Sequence, residues 1–173
     1  MASELDTRVA HSAEALQKLG ELIRDIRVAM LTTLTPAGTL HSRPMLTQQS
    51  AFDSFLWFFT ADESAKTEEI SQVQQVSLSF ADPSNQRYVA VSGRARTVHD
   101  REKAQELWHP LVEAWFPGGL DDPRLALLQV SPDRAEYWDA PSGALVRLLG
   151  WANTEVGAHH LESMGEHRKI RFT

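Results

Sequence analysis

The chain has 173 residues, 42% of them apolar and 23% charged, which is ordinary globular usage in one domain able to bury roughly 70% of its unfolded surface without a staple. Its net charge of −6 lacks the basic footprint of a nucleic-acid binder. The absence of cysteine removes disulfides, thiolate nucleophiles, iron–sulfur clusters and Cys-type zinc sites, and fits a cytoplasmic protein.

The N-terminus carries Glu4 and Asp6 and no apolar core, so no signal peptide is expected. No stretch approaches the roughly 18 apolar residues of a membrane span. Leu16, Leu19, Leu22, Ile23 and Ile26 recur at helical spacing, with Ser12 as N-cap, and predict an amphipathic helix over about 12–24. Residues 27–34 and 39–47 read as a hairpin around the turn Thr35-Pro36-Ala37-Gly38. Pro44 inside the second strand points to a sheet edge or a bulge.

An apolar strand follows at 54–60, then a short helix from Asp62 or Ser64 to about Ser71. Residues 75–81 and 87–98 read as strands separated by the turn Asp82-Pro83-Ser84-Asn85. Gly93 signals a bulge or a close backbone approach. Asp100 can cap a helix with the apolar stripe Ala104, Leu107, Trp108, Leu111 and Trp115, which Pro110 should kink or split. Residues 125–131 and 134–139 read as two strands joined by a Ser-Pro-Asp turn. A helix over about 144–153 and a basic tail at 165–172, read as a short strand, complete the chain. Strands in succession, with helices collected at the ends, predict a mainly β, α+β architecture around an antiparallel sheet or barrel.

Three constellations could carry chemistry. Ser64-Ala65-Lys66 stands at a helix start, where free N–H groups, the helix dipole, a hydroxyl and a full positive charge suit a phosphate. A plain Ser N-cap with a surface lysine explains the same residues, and Asp62 and Glu63 favour that reading. Arg43 lies in an otherwise apolar strand and could grip a phosphate with both arms; an outward arginine beside an edge proline is the alternative. Of the tryptophans 57, 108, 115, 138 and 151, most are expected in the core or an interface, and Trp138 is the best placed to line a site. The histidines, including the adjacent His159 and His160, lack metal-ligand spacing. Glu68 and Glu69 look like the solvated face of a short helix. Neither a phosphate-binding glycine loop nor a nucleophile elbow occurs.

The ordered series RPM (43–45), WFFT (57–60), SAK (64–66), VSLSF (76–80) and YVAVSGRA (88–95) resembles the FMN-binding split barrel of the pyridoxamine 5′-phosphate oxidase-like superfamily. The segments WFPGGLDDPR (115–124), LLQVSPDRAEYWDAPSG (127–143) and the GEHR tail are similar to its general stress protein 26 branch. The resemblance spans about residues 15–173. It implies an antiparallel split β-barrel with flanking helices, acting as a homodimer with FMN in grooves between subunits. Carried over, Arg43 and Lys66 hold the FMN phosphate with help from Ser64. Pro44 and Met45 lie along the isoalloxazine ring, Phe59 and Thr60 offer backbone and hydroxyl contacts to its polar edge, and Trp138 approaches from the partner subunit. Ala65 stands where the true oxidase has a second basic residue, and its C-terminal Arg-x-His type signature is not evident. The expected function is therefore flavin-dependent oxidoreduction of an unidentified small molecule rather than pyridoxamine phosphate oxidation. A non-catalytic flavin carrier, store or sensor, a deazaflavin in the same groove, and a cofactor-free interaction module are the competing readings.

Overall fold

The computed structural model describes residues 14–48, 53–139 and, for the backbone, 166–171. An N-terminal helix α1 covers 14–23. It is followed by β1 (Val28–Leu34), β2 (Leu40–Leu46), β3 (Leu56–Ala61), α2 (Ala65–Gln72), β4 (Gln75–Asp82) and β5 (Arg87–Val98). Then come α3 (Arg101–Leu107), α4 (Pro110–Glu113), a 3₁₀ turn at Gly119–Asp121, β6 (Leu125–Asp139) and β7 (Glu166–Arg171). The expected cap at Ser12 and the expected helix over 144–153 lie outside the described residues, as do Trp151, His159 and His160.

The seven strands form one antiparallel sheet in the order β2-β1-β4-β5-β6-β3, with β7 also on β6. One strand, β6, is long enough to serve two neighbours in turn along one edge. The first half of β6 pairs with β3, Leu56 opposite Val130 through Ala61 opposite Leu125. Its second half pairs with β7, while β5 runs along its other side. This is the split, curled sheet expected for the fold, with β2 and β3 at the two ends of the strand path.

One expectation fails here. Residues 125–139 are a single strand, not two strands around a Ser-Pro-Asp turn. The register of β5 against β6 shifts between Ser92 and Gly93, with Gly93 opposite Pro132. A Cβ on Gly93 would lie 2.3 Å from the Ser131 carbonyl oxygen. The glycine thus lets the two backbones close up where the proline cannot donate, so the irregularity is absorbed within the ladder instead of ending it.

The inner face of the sheet forms the core. Leu31, Phe58, Leu78, Phe80, Val89, Val91, Leu128 and Tyr137 are all nearly inaccessible. Helix α1 adds Leu19, Leu22 and Ile23, and Ile26 follows just beyond it; of the residues singled out by helical spacing only Leu16 stays outside this cluster, partly buried. A second cluster joins Trp57 and Leu127 on the other face to Ala104 and Leu107 of α3. Lys103 fastens this layer, with Nζ 2.7 Å from Asp53 and over the Trp57 ring.

Asp100 caps α3 as expected, its carboxylate accepting from the Lys103 N–H at 2.8 Å. Pro110 divides the helix and opens α4. The division overturns the continuous apolar stripe: Ala104 and Leu107 are buried, but Leu111 is 54% and Trp115 77% exposed. Once the helix is interrupted, residues beyond Pro110 no longer share the helical phase of those before it.

Candidate functional site

Helix α2 begins after β3 at Ser64, which has extended backbone and serves as N-cap. The Thr67 hydroxyl accepts from the Ser64 N–H at 3.0 Å and lies against the carbonyls of Ser64 and Asp62. This closes the loop tightly enough to fix the helix start. Asp62 is drawn aside to His99, at 3.0 Å. Lys66 reaches back over the cap, with Nζ donating to Ser64 Oγ at 3.2 Å.

The β1–β2 hairpin delivers the other half of the cluster. Thr33 lies opposite His41, and Arg43 stands two residues further along the same face of β2. Arg43 donates from Nη1 to Thr33 Oγ1 at 2.5 Å and from Nη2 to Glu69 Oε2 at 2.7 Å. Thr33 donates in turn to Glu69 Oε2 at 2.5 Å, and His41 Nδ1 is 3.1 Å from Glu69 Oε1. The α2 start and the strand arginine, far apart in sequence, thus meet at one edge of the barrel.

The electrostatics follow from this arrangement. Burial opposes ionisation of Glu69, but hydrogen bonds from Thr33, His41 and Arg43 outweigh it and hold its carboxyl down at about 2. Burial lowers the pKa of Lys66; the Arg43 charge lowers it further and the Glu69 charge opposes the fall. Arg43 and Lys66 with the one carboxylate of Glu69 leave this cluster one positive charge in excess beside a helix N-terminus, with Asp62 turned to His99. Such an arrangement accepts an anion of the phosphate class.

Glu69 was the residue the sequence hid. Glu68 is exposed as expected, but Glu69 is only 6% exposed and is not part of a solvated face. On α2 it stands two residues after the buried Thr67, on a different side of the helix, and it is the β1–β2 hairpin that covers it, so helical spacing carried no signal for it.

The remaining predicted residues do not gather at this cluster. Met45 is buried in the core, while its neighbour Pro44 points to the opposite, exposed face of the edge strand. Thr60 is buried, its hydroxyl donating to the Ala61 carbonyl at 3.3 Å. Phe59 packs edge-on against Trp108 with ring centroids 5.8 Å apart. Trp138 lies late in β6 opposite Tyr88 and is 39% exposed. Within the chain Arg43 and the Ser64–Lys66 helix start are brought to one cluster, while Pro44, Met45, Phe59, Thr60 and Trp138 are dispersed. Among the described residues no group of His, Asp and Glu could hold a metal, and no helix is long and apolar enough to cross a membrane.

A family model described as pyridoxamine 5′-phosphate oxidase like matches residues 14–162. The chain belongs to this family. It is 29% identical over 147 residues to the protein bli-3 of Neurospora crassa, covering 78% of the chain and 69% of that protein. It is 30% identical over 129 residues to general stress protein 26 of Bacillus subtilis, covering 72% of the chain and 88% of that protein. Among solved structures, the general stress FMN/FAD binding protein of Xanthomonas citri superposes with a TM-score of 0.64 at 31% identity. That match covers 73% of this chain and 89% of the other. The split-barrel fold and the general stress protein 26 affinity expected from the sequence are both borne out.

Proposed function

We propose that this protein binds FMN as a homodimer and is a flavin-dependent oxidoreductase acting on a small molecule. The observation that carries the reading is that Arg43 of β2 is held against Glu69 of α2, the helix whose capped start carries Lys66 on Ser64. A phosphate seated there would take charge-assisted hydrogen bonds from both cations and from the helix's first N–H groups, with Ser64 adding a hydroxyl. The Xanthomonas relative, named as an FMN/FAD binding protein, supports a flavin as the bearer of that phosphate.

The cofactor would supply the electron-transfer chemistry; the chain's own task is to bind, orient and shield it. Ala65 leaves one basic side chain in the first turn of α2, which favours a reading other than pyridoxamine phosphate oxidation. A groove of about 320 Å³ between the end of β2 and α3–α4, lined by Arg27, Leu46, Trp108, His109 and Leu111, has room for a small organic substrate.

Flavin titration tests the phosphate site. The wild type should bind FMN more tightly than riboflavin, which lacks the phosphate, and the double variant Arg43→Ala/Lys66→Ala should lose that preference. Equal affinity of wild type and double variant for FMN would refute the assignment. If the bound flavin, once reduced, meets no acceptor that reoxidises it faster than free flavin, the carrier reading replaces the enzyme.

A further inference from the structure

We propose that Glu69 is a positioning residue that aims Arg43 at the phosphate and lets it stand beside Lys66. The proposal rests on the flavin-phosphate reading and adds to it a residue that touches no ligand.

The geometry is specific. Glu69 is fixed by three groups from two strands: the Thr33 hydroxyl, the His41 ring and an arm of the Arg43 guanidinium. Its side chain is 8% exposed and that of Arg43 is 16% exposed, so neither can swing freely into water. Thr33 completes a closed triangle, accepting from Nη1 of Arg43 while donating to the oxygen that receives Nη2. Two of the five guanidinium N–H groups are consumed in this way, and three remain for an anion. An arginine held at two points presents those donors in one direction, with little rotamer entropy left to lose on binding.

The carboxylate also offsets a local repulsion. The Arg43 charge disfavours that of Lys66, and Glu69 counters this. Simple charge counting predicts that removing Glu69 tightens an anion, since the pocket becomes more positive. Positioning predicts the opposite sign. The two accounts therefore separate in one experiment.

Affinities for FMN and for riboflavin are measured on the full chain for wild type, Glu69→Gln, Arg43→Ala and Glu69→Gln combined with Arg43→Ala. Positioning predicts that Glu69→Gln weakens FMN by about tenfold, the scale of one charge-assisted hydrogen bond, and leaves riboflavin within about twofold. It also predicts no further loss when Glu69→Gln is added to Arg43→Ala, because the residue acts through the arginine. Unchanged or tighter FMN binding in Glu69→Gln overturns the proposal, as does an equal loss in both backgrounds. Thr33→Val, which removes the other partner of Arg43, is the second variant should Glu69→Gln not fold. It must lose FMN selectively over riboflavin, and an unchanged ratio overturns the proposal equally. A wild type with no preference for FMN over riboflavin would sink the phosphate reading itself, and is read before any variant.

Discussion

Glu69 keeps its charge in a nearly closed setting because donors surround it, and this gives it a stability signature independent of any ligand. Its folded pKa of about 2 lies below the ordinary value of 4.5. A depressed carboxylate contributes stability above its unfolded pKa and loses it as pH falls through the folded one. The advantage of wild type over Glu69→Gln should thus be full above about pH 4.5 and vanish towards pH 2. Urea denaturation of both proteins across that range measures the difference. Comparing the two proteins matters because Asp122, held at about 2 by Arg124, titrates in the same window and cancels in the difference. A gap independent of pH would mean that the carboxylate's charge is not what the cluster uses. Lys66 is the complementary case: burial and Arg43 depress it, so its hold on an anion should fail at a lower pH than an ordinary lysine would allow. Flavin affinity measured into the alkaline range should fall earlier than the usual lysine value of 10.5.

At the scale of elements, what the sequence made legible is what local chemistry decides. The β1–β2 hairpin, the α3 cap at Asp100 and the division at Pro110 each depend on residues adjacent in sequence. The single strand β6 was misread because its continuity depends on a partner about forty positions away: Pro132 breaks a strand locally, and only the absent side chain of Gly93 across the ladder lets the strand continue. Gly93→Ala should therefore destabilise the fold by about 2 kcal/mol or more, since the added methyl meets backbone and not a yielding side chain. Denaturant unfolding would read this directly, and a loss under about 0.5 kcal/mol would show that the close approach is not needed. The site divides along the same line. Ser64 and Lys66 were visible as a helix start and Arg43 as an anomalous charge in a strand. Glu69 was not, because its burial is set by the hairpin that packs over it and not by its own neighbours. The residues expected along the ring stayed out of reach for a related reason: a resemblance can name Pro44, Met45 and Trp138, but the folded chain does not bring their side chains together.

The whole molecule presents a face that one copy leaves open. Following the register across four strands, Met30, Ser79, Ala90 and Glu136 form one row. Pro44 extends that row on β2, and Tyr88 and Trp138 stand opposite each other in the row beside it. Small and apolar side chains dominate this surface, and Val28 at 49%, Met30 at 42% and Trp138 at 39% exposure are large hydrophobics held in water. A sheet face of this kind, with large hydrophobics exposed on it, is what an isologous dimer covers. It carries Pro44 and Trp138, two of the ring-side residues, so pairing through it would bring to a shared groove what the single subunit disperses. Met30→Glu places one like charge from each copy in that face without disturbing the core, since the side chain already meets solvent. Sedimentation should give a dimer for the wild type and a monomer for Met30→Glu, with flavin affinity falling at least about tenfold alongside. Trp115→Glu, at an exposed apolar residue just beyond α4, should leave both unchanged and controls for charge alone. A Met30→Glu protein that remained dimeric with its flavin bound would move the interface to another face. A monomer that kept full flavin affinity would confine the binding site to one subunit, and the dispersed ring-side residues would then have to be replaced by others.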